Sequence, residues 1–133
     1  MIVEDQPLLL QVLKLMVASV GGEVVTQASS AEEALSQLES SPCEVVLMDI
    51  SLPGEDGIWC TRTLRSRGFR QPVIMVTSHE CVLVARASLA AGANGYLYKS
   101  CTPGELERAL GVVARGGCFV QPTLLRALKS AMA

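Results

Sequence analysis

The sequence predicts an α/β fold in which strand and helix alternate five times around a parallel sheet. Three observations predict it. Short apolar runs such as Val45-Val46-Leu47-Met48 and Val73-Ile74-Met75-Val76 recur along the chain. Between them lie longer stretches with apolar residues at i, i+3 and i+4, the helical spacing. Glycine and proline separate the two kinds of segment, and such alternation gives a parallel sheet covered by helices on both faces.

Met1 to Val3 is apolar and runs straight into Glu4 and Asp5, as a strand end would. Pro7 suits a first helical turn. Leu9, Val12, Leu13, Met16, Val17 and Val20 then carry the helical spacing as far as Gly21-Gly22. Val24 and Val25 are the second strand. Ser30 and Glu33 have capping-box spacing, and the helix after them places Ala34, Leu35 and Leu38 on one face. The run Val45 to Met48 reads as a strand buried on both faces and ends at Asp49. Pro53 to Gly57 is a loop, and a helix with Trp59 and Leu64 follows as far as Gly68. The fourth strand ends at Thr77, and a helix covers about Cys81 to Ala91. Tyr96-Leu97-Tyr98 is the fifth strand, with Lys99 beyond it. Thr102 and Glu105 form a second capping box, with Pro103 at the first helical position. Leu106, Ala109, Leu110 and Val113 stripe the last main helix, which Gly116-Gly117 ends. Residues 119–133 read as a linker or short helical tail with Leu124, Leu125 and Leu128.

The chain has 133 residues, half of them apolar, which suits one domain with one core. No apolar run approaches the roughly 20 residues of a membrane span, and no secretory leader is recognisable. The expectation is a cytoplasmic protein without membrane partners. Cysteines 43, 60, 81, 101 and 118 lack metal-site spacing and read as free thiols. Charge is divided unevenly. Residues 1–56 hold ten acids against one base, net −9, and residues 57–133 hold three acids against ten bases, net +7. Arg62, Arg65, Arg67 and Arg70 have no interleaved aromatics beyond Phe69, so they read as a solvated face rather than a nucleic-acid surface.

The polar residues carry the functional signal. Glu4, Asp5, Asp49, Thr77 and Lys99 each follow or end an apolar run, at the carboxyl ends of parallel strands, where open α/β sheets bind ligands. Glu4 and Asp5 alone would read as acids favouring a helix N-terminus. Three converging carboxylates repel one another and call for a hard cation such as Mg²⁺. One of them can then attack phosphorus, with Lys99 and the Thr77 hydroxyl holding the phosphoryl oxygens. Trp59 and Phe69 read as packing residues, and His79 is too isolated for a metal ligand. Gly95, Lys99 and Ser100 do not make a phosphate loop, because the lysine does not follow a glycine.

Four stretches resemble the receiver domain of bacterial response regulators. They are Val3 to Pro7 (VEDQP), Met48 to Gly57 (MDISLPGEDG), Val76 to His79 (VTSH) and Ala91 to Ser100 (AGANGYLYKS). Tyr96 to Val120 is most similar to receivers of the LuxR-type (NarL/FixJ-like) transcription factors. The resemblance implies a flavodoxin-like (βα)5 fold with a five-stranded sheet of order 2-1-3-4-5, a receiver over residues 1–118 and a tail over 119–133. It implies that Asp49 is phosphorylated by a sensor histidine kinase or phosphotransfer protein. Asp5, Asp49 and the Ser51 backbone carbonyl would ligate Mg²⁺, with Glu4 acting mainly through a water. Lys99 and Thr77 would bind the phosphoryl group. Thr77 and Tyr96 would be the switch pair, the tyrosine ring turning inward from solvent. Ser51 and His79 would tune dephosphorylation.

The resemblance also implies transcriptional output and a possible homodimer through the first and fifth helices. DNA would be bound only through a helix-turn-helix domain that these residues do not include, so the chain is expected to be a fragment or a stand-alone regulator. Two departures stand out: only three residues precede Glu4, and the acidic pair is Glu-Asp where most LuxR-type receivers have two aspartates. Such a domain is not an enzyme beyond its own phosphorylation and dephosphorylation. The alternatives are a Mg²⁺-dependent aspartyl-phosphate phosphatase and an interaction module that needs no phosphorylation. The phosphatase normally has a second aspartate two residues after the nucleophile, where this chain has Ser51.

Overall fold

The computed structural model describes residues 1–78 and 80–132. Twelve elements follow in order: β1 (Ile2–Val3), α1 (Pro7–Ser19), β2 (Gln27–Ala28), α2 (Ala31–Ser40), β3 (Val46–Asp49), α3 (Gly57–Ser66), β4 (Val73–Thr77), α4 (Val82–Ala90), β5 (Gly95–Tyr98), α5 (Pro103–Ala114), β6 (Phe119–Val120) and α6 (Pro122–Met132). The sheet has the order β2-β1-β3-β4-β5-β6, and its neighbouring strands pair in parallel. The expected order 2-1-3-4-5 is present, extended by a sixth strand.

Strand alternation sorts the core into two layers. Val3, Val46, Met48, Val73, Met75, Tyr96 and Tyr98 face a cluster that includes Ala31, Ala34 and Leu35 of α2, Cys60 and Leu64 of α3, Ala85 of α4 and Leu124 and Leu128 of α6. Ile2, Leu47, Ile74, Val76 and Leu97 face the other way, onto Leu13 and Val17 of α1 and Leu106, Ala109 and Val113 of α5. Trp59 and Phe69 are partly buried against the first cluster, as packing residues should be. All five cysteines are free. Among the described residues no helix is long and apolar enough to cross a membrane.

The second strand is displaced from Val24-Val25 to Gln27–Ala28. The cause is register. β1 consists of Ile2 and Val3, which pair with Gln27 and Ala28. No β1 residue stands opposite Val24 and Val25, and Val25 is left 56% exposed. Apolar character predicted the strand, but only a partner strand can complete the ladder.

Residues 119–132 are woven into the fold. Phe119 and Val120 of β6 pair with Gly95 and Tyr96 of β5. α6 lies against α4, burying Leu124 and Leu128 to 1% and 6% exposure.

The helix starts follow local chemistry. Thr102 and Glu105 make the full reciprocal capping box on α5. At α2 only half of the expected box forms. Ser30 accepts from the Glu33 amide at 3.1 Å, while the Glu33 carboxylate takes the Ser29 amide and hydroxyl instead. Asp56 caps α3, accepting from the Trp59 amide at 2.8 Å.

Arg65 is not part of a solvated basic face. Its Nε and Nη2 donate to the Gly92 carbonyl at 3.1 and 2.9 Å. Nη1 donates to the Phe69 and Gln71 carbonyls, both at 2.9 Å. Nη2 also reaches Asn94 Oδ1 at 2.7 Å, and that oxygen accepts the Val73 amide at 3.0 Å. A planar fork of donors can tie the end of α3, the entry to β4 and the turn before β5 together; a lysine cannot. Gly92 has φ +108, and a Cβ there would stand 2.8 Å from Arg65 Cγ, so the turn and the arginine are built for each other.

Replacing Arg65 strands several partly buried carbonyls. Arg65→Met is expected to cost about 2–4 kcal/mol in urea unfolding. Arg62→Met, on the exposed side of α3, should stay within about 0.5 kcal/mol. Equal losses for the two variants would contradict the assignment of Arg65 as a structural clasp.

Candidate phosphoacceptor site

The parallel register brings the site together at one end of the sheet. Asp49 is the last residue of β3 and pairs with Val76, one residue before Thr77 closes β4. Thr77 pairs with Tyr98 of β5, and the Lys99 amide donates to the Thr77 carbonyl at 2.7 Å. Glu4 follows β1, next to β3.

Glu4 and Asp49 are buried, at 1% and 3% exposure, whereas Asp5 is exposed. One carboxylate oxygen from each of the three lies within 4.8 Å of the others. Lys99 Nζ is 2.9 Å from Glu4 Oε1 and 3.2 Å from Asp49 Oδ1. One ammonium thus serves two buried carboxylates, and among the described residues no second cation pairs with them.

The imbalance appears in the acidities. Burial, a hydrogen bond to Glu4 and the charge of Glu4 push Asp49 up to about 6, against the pull of Lys99. Glu4 moves the other way: burial would raise it, but hydrogen bonds from Lys99, Asp49 and the Gln6 amide hold it below the ordinary range. The Gln6 contact is 3.2 Å, to Glu4 Oε2. Lys99 is raised, because its two acidic neighbours outweigh the burial that would lower it. The cluster therefore favours the ionised form of Glu4 and the protonated form of Asp49.

Backbone geometry holds Asp49 in place. The Ser51 amide donates to Asp49 Oδ1 at 3.2 Å, and the Gly57 amide donates to the Ile50 carbonyl at 2.9 Å. A Cβ on Gly57 would stand 2.2 Å from the Asp49 carbonyl oxygen. Gly57 thus lets α3 begin directly against the strand that carries Asp49. Its role was hidden inside a loop motif, although a glycine at a helix start is the kind of signal that marks close backbone approach.

Thr77 is buried at 2% exposure. Alternation puts it on the same sheet face as Tyr96, whose register partner is Met75. The Tyr96 ring is fully buried rather than solvent-facing. It belongs to the cluster formed with Ala85, Leu124 and Leu128. The small Ala85 side chain contributes little bulk on the α4 side, and α6 brings two leucines that were expected only in a tail. The Tyr96 hydroxyl lies against the Thr77 side chain. Burial pushes it up to about 12, while the neighbouring Thr77 side chain draws it down. Ser51 itself is exposed. His79, expected to tune dephosphorylation, lies outside the described residues.

Sequence and structural comparisons agree on what this arrangement belongs to. The family described as the response regulator receiver domain matches residues 1–111. The transcriptional regulatory protein UhpA of Escherichia coli K12 is 35% identical over 108 residues, covering 81% of this chain and 54% of that protein. The response regulator GacA of Pseudomonas viridiflava is 34% identical over 133 residues, covering 98% of this chain and 62% of that protein. The chain therefore spans little more than half the length of these relatives. A crystal structure of a LuxR-family two-component response regulator from Aurantimonas sp. SI85-9A1 superposes with a TM-score of 0.93 at 28% identity, covering 98% of this chain and 94% of that one. With the acidic pocket at its strand ends, the chain belongs to the response regulator receiver domain family, of the LuxR type.

Proposed function

We propose that this chain is the phosphoacceptor switch of a two-component response regulator. Asp49 accepts a phosphoryl group from a sensor histidine kinase or phosphotransfer protein, with Mg²⁺ bound, and the changed conformation controls an output, transcription. The observation that carries this reading is the buried Glu4–Asp49 pair sharing the single Lys99 ammonium at 2.9 and 3.2 Å. Residues 1–118 form the receiver, and 119–133 are a tail, docked on it through β6 and α6. Any DNA contact belongs to a helix-turn-helix domain outside these residues. The setting is the cytoplasm, and the chain catalyses no turnover beyond its own phosphorylation and dephosphorylation.

The donor set fits the cation. Three carboxylate oxygens within 4.8 Å, one residue of the set exposed, suit a hard ion that keeps several waters. Asp5, Asp49 and the Ser51 carbonyl would hold it, and Glu4 would act mainly through a water. When bound, Mg²⁺ supplies the positive charge that the three carboxylates lack and that an incoming phosphoryl group needs. The chain's own groups do the rest. Asp49 presents an oxygen to phosphorus, the Ser51 amide orients the carboxylate, and Lys99 and the Thr77 hydroxyl take the phosphoryl oxygens. Ser51 and His79 flank the water path and set the lifetime of the phosphorylated state. Thr77 and Tyr96 relay the change.

A homodimer is also proposed, through α1 and α5. Leu8, Val12 and Leu15 of α1 are 77%, 40% and 70% exposed at i, i+4, i+7 spacing. That is one apolar stripe on the outside of the molecule.

Three outcomes test this reading. Intact mass after incubation with Mg²⁺ and acetyl phosphate should show one labile phosphoryl group, absent in Asp49→Asn. An adduct on the variant would remove Asp49 from the role. Second, the folded Asp49 keeps its proton up to about pH 6, where the unfolded carboxyl releases it near 3.8. Between those values the folded state binds more protons, so stability from this group is full at low pH and is lost as pH rises through 6. Metal-free Asp49→Asn should therefore melt about 5 °C above wild type at pH 7.5, with the gap closing toward pH 4.5. A gap independent of pH would contradict the electrostatic account. Third, sedimentation should show self-association that strengthens with phosphorylation. Leu15→Glu should abolish it, and a wild type monomeric in both states would exclude the dimer.

A further inference from the structure

We propose that α6 is a resident occupant of the α4–β5 face, latched there by Gln121 and released when Asp49 is phosphorylated. The inference rests on the phosphoacceptor reading of Asp49 and assigns that site a regulated partner within this chain.

Gln121 joins β6 to α6 and is buried at 8% exposure. Its hydrogen bonds all run to elements near the site. Its Oε1 accepts the Tyr98 amide at 2.7 Å. Its own amide donates to the Tyr96 carbonyl at 3.0 Å. Its Nε2 donates to Glu105 Oε2 at 3.0 Å, in the capping box of α5. Its carbonyl accepts the Leu125 amide at 2.9 Å and so begins the helix. One residue thus ties the end of β5, the start of α5 and the start of α6 to one another.

α6 completes the seat. Leu124 and Leu128 enter the cluster that holds Ala85, Tyr96 and Tyr98, and the Thr123 side chain lies beside the Tyr98 phenol. The outer side of α6 carries Arg126 and Lys129, both exposed. The helix is amphipathic, and its apolar side is spent on the receiver's own α4–β5 face. An external partner using that face must displace it.

The coupling is covalent and short. Tyr98, which Gln121 holds by its amide, directly precedes Lys99, which pairs with Glu4 and Asp49. Tyr98 is also the register partner of Thr77, and the Lys99 amide bonds the Thr77 carbonyl. The residues that meet a phosphoryl group on Asp49 are therefore the immediate neighbours of the residue that anchors the latch. A group of about −2 charge, with strong acceptor oxygens, draws the Lys99 ammonium and the Thr77 hydroxyl toward it. The end of β5 follows, while Gln121 remains tied to Glu105 on α5. The Tyr98–Gln121 bond carries the mismatch, and α6 loses its anchor.

Linkage makes the idea testable in both directions, because a phosphoryl group that weakens α6 docking must itself bind more tightly when α6 is undocked. The experiment uses the full chain with Mg²⁺ and beryllofluoride, following amide shifts and hydrogen exchange by NMR on one sample. Wild type should show shifts at Asp49 and Lys99 together with about tenfold faster exchange in residues 124–131. Gln121→Ala should exchange fast there with or without the mimic, and should bind the mimic tighter by a similar factor; a purely structural lesion would leave its affinity unchanged or weaker. Bound mimic with unchanged α6 protection in wild type, an arm that needs no variant, would overturn the latch and leave the phosphoacceptor reading standing. No shifts at Asp49 and Lys99 would overturn both.

Discussion

Everything at the functional end of this molecule depends on one underbalanced ion cluster, Glu4 and Asp49 against Lys99. Buried charge is costly unless it is paired and hydrogen-bonded. Here the backbone amides of Gln6 and Ser51 and a single ammonium supply the compensation for two carboxylates. The result is a pocket that holds together but is left electrostatically short, with Asp49 raised to about 6. A fully satisfied cluster would be more stable and would have less reason to accept a cation. The stability given up by leaving the cluster short of positive charge is the physical basis of the site's readiness.

The parallel sheet turns that local deficit into something the rest of the protein can sense. β1, β3, β4 and β5 end at one level because their pairings are in register there, so Glu4, Asp49, Thr77 and Lys99 converge without any loop having to reach. The same alternation divides the two faces. α1 and α5 cover one, with a complete apolar layer beneath them. The other is covered by α2, α3, α4 and α6, and there the buried hydroxyl of Tyr96 lies against the Thr77 side chain. Under the proposed phosphoacceptor reading, that face is the one toward which a change at Asp49 is relayed.

Stiffness elsewhere channels the response. Arg65 fastens three backbone segments through five hydrogen bonds, and Gly57 sets α3 hard against Asp49. These fix the α3 side of the pocket. α4 has no side-chain cap at its first turn, and β6 with α6 is joined to the sheet edge by two residue pairs and the bonds of Gln121. Rigid scaffold and lightly held elements thus sit on opposite sides of the same site.

The sequence by itself determined the alternation of strand and helix, the capping box on α5 and the polar residues at the strand ends. Each follows from local periodicity or from short-range chemistry, which a chain carries wherever it sits. Tertiary structure decided what depends on a distant partner. β2 lies at Gln27–Ala28 because Ile2 and Val3 stand opposite those residues, not Val24 and Val25. Arg65 looks like a surface charge until Gly92, Phe69, Gln71 and Asn94 are folded around it. Gln121 looks like a linker residue until β6 pairs with β5 and brings it onto Tyr98. The burial of Tyr96 required α6 to dock. In every such case the deciding contact joins residues far apart in the chain or a ladder whose register only the folded sheet sets, and no pattern along the chain encodes which carbonyl or which strand will arrive.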